Sequence, residues 1–172
     1  MALKAAALAW QSVSGIRFRH VQAADSADIV VGIDASPRGV AFANVIPRPG
    51  TGTDLRGIER AAICFNPHRA WKLEFDGRLD VYDLTYVMTH ELGHAIGLDH
   101  PGRQGAVMGY AYDEKYNTLQ PSDIAGASAL YGPPVPGDRR IAAFRDQAVE
   151  YEVGGHSAVT HRATLTDGKS GL

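Results

Sequence analysis

The sequence predicts an α+β domain, and three observations lead there. Apolar residues recur at helical spacing over positions 1–13, the stretch from 16 to 65 breaks into short β-rich runs divided by turn residues, and helical patterns return near 83–97 and 121–130. In the first segment Leu3, Ala7, Leu8 and Trp10 keep one side of a helix apolar, and Ser14-Gly15 ends it. Strands follow at 16–21, 28–33 and 40–46, separated by Asp/Ser and Ser-Pro-Arg-Gly signals, and they read as members of one sheet. Residues 47–52 are a loop by composition. A fourth strand spans 58–65 and is closed by Asn66-Pro67, where proline pushes its predecessor out of regular structure.

The central helix begins at Asp80 or Asp83, carries Leu84, Val87, Met88, Glu91, Leu92, Ala95 and Ile96 at helical spacing, and stops at Gly97. After a loop over 98–119, Pro121 suits a first helical turn and Asp123 suits the helix dipole, so a third helix runs to about Leu130 before Gly132-Pro133-Pro134. Residues 133–172 read as a linker followed by two strand-like pieces, 148–153 and 158–165, around Gly154-Gly155.

Composition narrows the function. A chain of 172 residues can bury a core without disulfide staples, and its single Cys64 has no intrachain partner. A formal net charge of −2 excludes the basic field that gathers nucleic acid or anionic lipid. No apolar run approaches the roughly 20 residues that cross a bilayer. The expectation is a monomer that binds neither nucleic acid nor membrane.

The chemistry lies in His90-Glu91-Leu92-Gly93-His94-Ala95-Ile96-Gly97-Leu98-Asp99-His100. Four residues advance a helix by about 400°, so His90 and His94 stack on one face and can offer two imidazole nitrogens to one ion. Glu91 sits slightly around the cylinder, where it reaches a water on the metal and can act as general base. Gly97 allows a sharp exit from the helix, and three residues later His100 can return as a third ligand. Three protein ligands leave a position open for water, the arrangement of a hydrolytic zinc. A structural zinc usually takes four protein ligands, commonly cysteines, and Cys64 is distant in sequence.

These residues resemble the signature of the metzincin metallopeptidases: two histidines around a glutamate, then a glycine and a third histidine. The resemblance implies a zinc-dependent endopeptidase acting on proteins or peptides, built as a twisted mixed sheet with two long helices and a C-terminal helix, its cleft lying between upper and lower subdomains. Residues 106–110 resemble the family's Met-turn, with Met108 as the apolar floor beneath the metal. Pro101 and Tyr110 resemble serralysins, whereas 119–126 through Tyr131-Gly132 resembles the helix shared by serralysins and matrixins, so the likeness is matrixin/serralysin-like. By that likeness Tyr110 is a catalytic residue, binding the resting zinc or stabilising the oxyanion.

Residues 27–31 and 39–43 resemble family strands, the second being the edge strand that pairs with extended substrate. Phe42 and Cys64 stand near the positions where matrixins place histidine ligands of a structural zinc, which argues against that site here. His20, His68, His156 and His161 accordingly read as surface or packing residues. Calcium is compatible with the family, but no acidic loop specifies it. The likeness spans 1–132. By that likeness the strand that precedes the first helix in relatives is expected to be missing here, through truncation or because a C-terminal piece takes that place in the sheet. An extracellular setting is expected by resemblance alone, since no signal peptide is visible. The alternative function is a catalytically impaired zinc-binding module that recognises protein without cutting it.

Overall fold

A computed structural model of the chain describes residues 2–34, 39–49, 57–102 and 105–135, and the backbones of 149–153, 156–160 and 162–166. The elements run α1 (Ala2–Val13), β1 (Arg17–His20), β2 (Ile29–Ile33), β3 (Ala41–Pro47), β4 (Ile58–Phe65), β5 (Trp71–Lys72), β6 (Tyr82–Asp83), α2 (Leu84–Ala95), α3 (Pro121–Tyr131), β7 (Val149–Val153), β8 (His156–Thr160) and β9 (Arg162–Thr166). The α+β architecture is as expected, with a mixed sheet ordered β1-β9-β2-β4-β3. In it β2 runs parallel to β4 and the other pairings are antiparallel.

The sequence reading misses two features. The strand expected over 158–165 is two strands, because β8 pairs with β7 in a separate hairpin while β9 enters the main sheet, and one straight strand cannot serve both. There β9 lies between β1 and β2 and pairs antiparallel with each. The short parallel pair β5 and β6 is too brief to carry a periodic signal. His161 and the side chain of His156 lie outside the described residues, whereas His68 is exposed and His20 half-buried. Phe42 and Cys64 face one another across β3 and β4.

The core forms where α1 and α2 cover one face of the sheet. Trp10 and Ile16 from the first segment, Ile29 and Ile63 from the sheet, and Leu92, Ile96 and Met108 around α2 are all almost fully buried. Because α2 packs against α1 on one side and against β3 and β4 on another, most of its residues are buried. Trp10 fastens it further, with Nε1–H donating to the Thr89 carbonyl at 2.9 Å. Polar ties hold the periphery. Gln11 Oε1 accepts the Phe18 N–H at 2.6 Å, and Ser128 Oγ donates to the Val13 carbonyl at 3.1 Å, joining α1 to β1 and to the last turn of α3.

Gly93 is a point of very close approach in this packing. A Cβ there would lie 2.3 Å from Met108 Sδ and 2.8 Å from Trp10 Cζ2, so the methionine and the indole reach the helix backbone only because the side chain is a hydrogen. Gly93→Ala should therefore lower stability by about 1–3 kcal/mol through overpacking, despite alanine's better helix propensity. Urea unfolding measures it, and unchanged stability would contradict this packing.

Candidate metal centre and cleft

Helix α2 is started and stopped by local chemistry that places its histidines. The Asp83 side chain accepts the Tyr86 N–H at 2.7 Å and caps the N-terminus. At the other end Gly97, at φ 96°, takes the left-handed conformation, the Gly97 N–H donates to the His94 carbonyl and the Leu98 N–H to the Gly93 carbonyl. This paired C-terminal cap turns the chain back beneath the helix.

The reversed chain brings the Leu98 carbonyl within 2.8 Å of His94 Nδ1, and the Val107 carbonyl lies 2.7 Å from His90 Nδ1. A carbonyl only accepts, so both Nδ1 atoms carry the proton and both Nε2 atoms keep their lone pairs. The three Nε2 atoms of His90, His94 and His100 lie 3.1, 3.2 and 3.3 Å apart. Tetrahedral zinc with Zn–N of about 2.0–2.1 Å separates its nitrogens by about 3.3–3.4 Å. The donor set and its spacing fit zinc, and facing lone pairs at this distance are favourable only around a cation. Among the described residues, this is the one group of three His, Cys, Asp or Glu side chains close enough to hold an ion.

Burial tunes each group. Desolvation pushes His90 down to about 4, with the neighbouring His94 and His100 acting in the same direction and the Val107 carbonyl opposing them, so the ring is neutral and ready to ligate. His100 is also shifted downward, first by desolvation and then by His94. Burial raises the Glu91 carboxyl to about 7 against a hydrogen bond from the Ala43 backbone, and its Oε2 is buried without a partner. A carboxyl that is buried, half-satisfied and titrating near neutrality is suited to proton transfer.

The histidines and Glu91 open into a cleft of about 830 Å³, lined also by Ala41, Phe42, Ala43 and Val45 of β3 and by Leu79, Tyr82 and Tyr112. Strand β3 is the outermost of its sheet, so its second edge faces away from β4. Tyr110 lines the cleft, is 84% exposed, and stacks on His100 with ring centroids 3.9 Å apart. Met108 is buried and contacts the helix at Gly93.

Asp123 carries a role that sequence reading missed, having assigned it only to the helix dipole. It is buried, accepts the Val107 N–H at 3.0 Å and the Met108 N–H at 3.2 Å, and takes the Gln120 N–H at 2.8 Å. It thus fixes the peptide segment whose Val107 carbonyl orients His90. An acid near a helix start was visible; its long-range partners were not.

Residues 1–132 match the family model for Matrixin. The chain belongs to the matrixin family. It is similar to matrix metalloproteinase-19 of Mus musculus, 32% identical over 154 residues covering 88% of this chain and 27% of that protein. Metalloendoproteinase 1-MMP of Arabidopsis thaliana is 31% identical over 138 residues, 72% of this chain and 35% of its own length. Matrix metalloproteinase-16 of Homo sapiens is 32% identical over 144 residues, 73% of this chain and 22% of its own. This matrixin therefore spans about a third or less of the relatives it matches. No helix among its described residues is long and apolar enough to cross a membrane.

Two substitutions separate ligand from support in this matrixin. His94→Ala should abolish stoichiometric zinc, measured by plasma mass spectrometry. Asp123→Ala should leave all three ligands in place yet weaken zinc about 10–100-fold, read by competition with a chromogenic chelator; parental affinity would show that Asp123 does not govern the ligand geometry.

Proposed function

We propose that this matrixin is a zinc-dependent endopeptidase that hydrolyses peptide bonds in protein or peptide substrates. The observation carrying the proposal is the convergence of three Nε2 atoms, those of His90 and His94 left unprotonated by the carbonyls on their Nδ1 atoms, beside a buried carboxyl with an unpaired oxygen. When bound, zinc supplies Lewis acidity, polarising a carbonyl and lowering the pKa of water.

The chain's own residues do the rest. The free edge of β3 receives an extended substrate through main-chain hydrogen bonds and lays the scissile carbonyl over the histidines. Glu91, with its carboxyl raised to about 7, accepts a proton from the attacking water as the oxygen–carbon bond forms. It returns that proton to the leaving nitrogen as the carbon–nitrogen bond breaks. Tyr110, by its resemblance to the serralysin tyrosine, donates its hydroxyl to the oxygen that gains charge. Its exposure and its stacking on His100 leave the ring at the mouth of the cleft and support that role. The catalytic unit is assigned to 1–132, and family likeness makes the setting extracellular.

Cleavage-site profiling on a proteome-derived peptide library, with and without chelator, tests activity and metal dependence together. The zinc-loaded protein should cut and the chelated protein should not; a zinc-loaded protein that cuts nothing but binds protein would instead fit a recognition module. Glu91→Ala should keep its zinc and lose about 10²–10⁴-fold in kcat/KM. Turnover equal to the parent would remove Glu91 from the mechanism.

A further inference from the structure

Between β5 and β6, which pair in parallel, the chain makes an excursion that includes residues 73–80, leaving at the end of β5 and returning at the start of β6. This arm supplies Leu79 to the cleft wall. Little apolar contact holds it: Leu73 is 73% exposed, Leu79 53% and Phe75 40%, with Phe75 reaching the Tyr86 ring edge-on at 6.3 Å between centroids. An arm so poorly anchored by apolar burial needs another fastening.

The fastening is polar and centred on Lys72. Its ammonium pairs with Asp76 Oδ1 on the arm and with Glu114 Oε1 on the opposite loop, and donates to the Arg78 carbonyl at 2.7 Å. Three oxygens match the three protons of the ammonium. The side chains of Lys72 and Glu114 are only 11% and 8% exposed, unlike the exposed Arg78–Asp80 pair nearby. Glu114 uses its other oxygen to accept the Gly77 N–H at 2.6 Å, at a turn where Gly77 has φ 82°. Beyond Glu114 the connection continues: Tyr112 O–H donates to Glu114 Oε1 at 2.7 Å and accepts the Asp83 N–H at 2.9 Å, and Asp83 caps α2.

We propose that Lys72 is a positioning residue, whose ammonium clasps the 73–80 arm to the loop carrying Tyr112 and Glu114 and so holds Leu79 and Tyr112 in the wall of the substrate cleft. The role presupposes the peptidase activity proposed above and touches no reacting atom. Losing the clasp loosens the wall that grips substrate while the histidines and Glu91, held by α2 and the Val107 and Leu98 carbonyls, keep their geometry.

Lys72→Met keeps the aliphatic stem and removes the ammonium. Two readouts follow from it. Trypsin should nick Arg78–Leu79 about tenfold faster than in the parent, since cleavage tracks the open population of a locally unfolding segment. KM for a fluorogenic peptide should rise about tenfold with kcat within about twofold, the signature of lost binding without lost chemistry. Glu114→Gln serves as the second variant if Lys72→Met fails to fold, and it should loosen the same bond. Parental resistance to trypsin in both variants, or faster nicking with unchanged KM, overturns the proposal, as does a fall in kcat with constant KM. If the parent protein cleaves no peptide, the peptidase assignment fails by itself, and the nicking rates still decide whether the clasp exists.

Discussion

Val107 and Leu98 each present a backbone carbonyl to a histidine ring, and the chemistry of the cleft depends on those two hydrogen bonds. They put the proton on Nδ1 and leave Nε2 bare, so that His90 and His94 meet His100 as lone pairs directed at one point. Each carbonyl is itself held in place. Leu98 is fixed by the turn that Gly97 permits at φ 96°, and Val107 by its N–H bond to buried Asp123. A flexible support would leave the imidazoles free to exchange tautomers and the metal geometry undefined.

Burial completes the arrangement. The apolar surroundings that make α2 part of the core also strip water from Glu91 and His90, raising the first and lowering the second. The same packing therefore yields a carboxyl able to hold a proton near neutrality and an imidazole that stays neutral beside a cation. Asp83, Lys72 and Glu114 are treated differently: they are paired. Asp83 is committed to the helix cap, while Lys72 and Glu114 are committed to each other.

What could be read from the chain and what could not divides by range of interaction. His90, Glu91 and His94 declare themselves because their relation is four residues of helix, and Gly97 and His100 because a turn of fixed length follows. The β4 strand was bounded at Ile58 and Phe65 by local turn chemistry, and α3 at Pro121 by a residue that suits a first helical turn. Contacts closed by tertiary structure were invisible. Nothing local says that Asp123 collects three backbone N–H groups, that Lys72 meets Glu114 across 42 positions, or that β9 slots between β1 and β2. Resemblance alone singled out Tyr110 as a candidate, and its stacking on His100 was not visible in the sequence.

The convergence of His90, His94 and His100 on one zinc can be measured without reference to turnover. Extended X-ray absorption at the zinc edge of the stoichiometrically loaded protein should show three imidazole nitrogens at about 2.0–2.1 Å and one further light ligand. Fewer than three imidazoles, or a sulfur scatterer from Cys64, would contradict the centre described here.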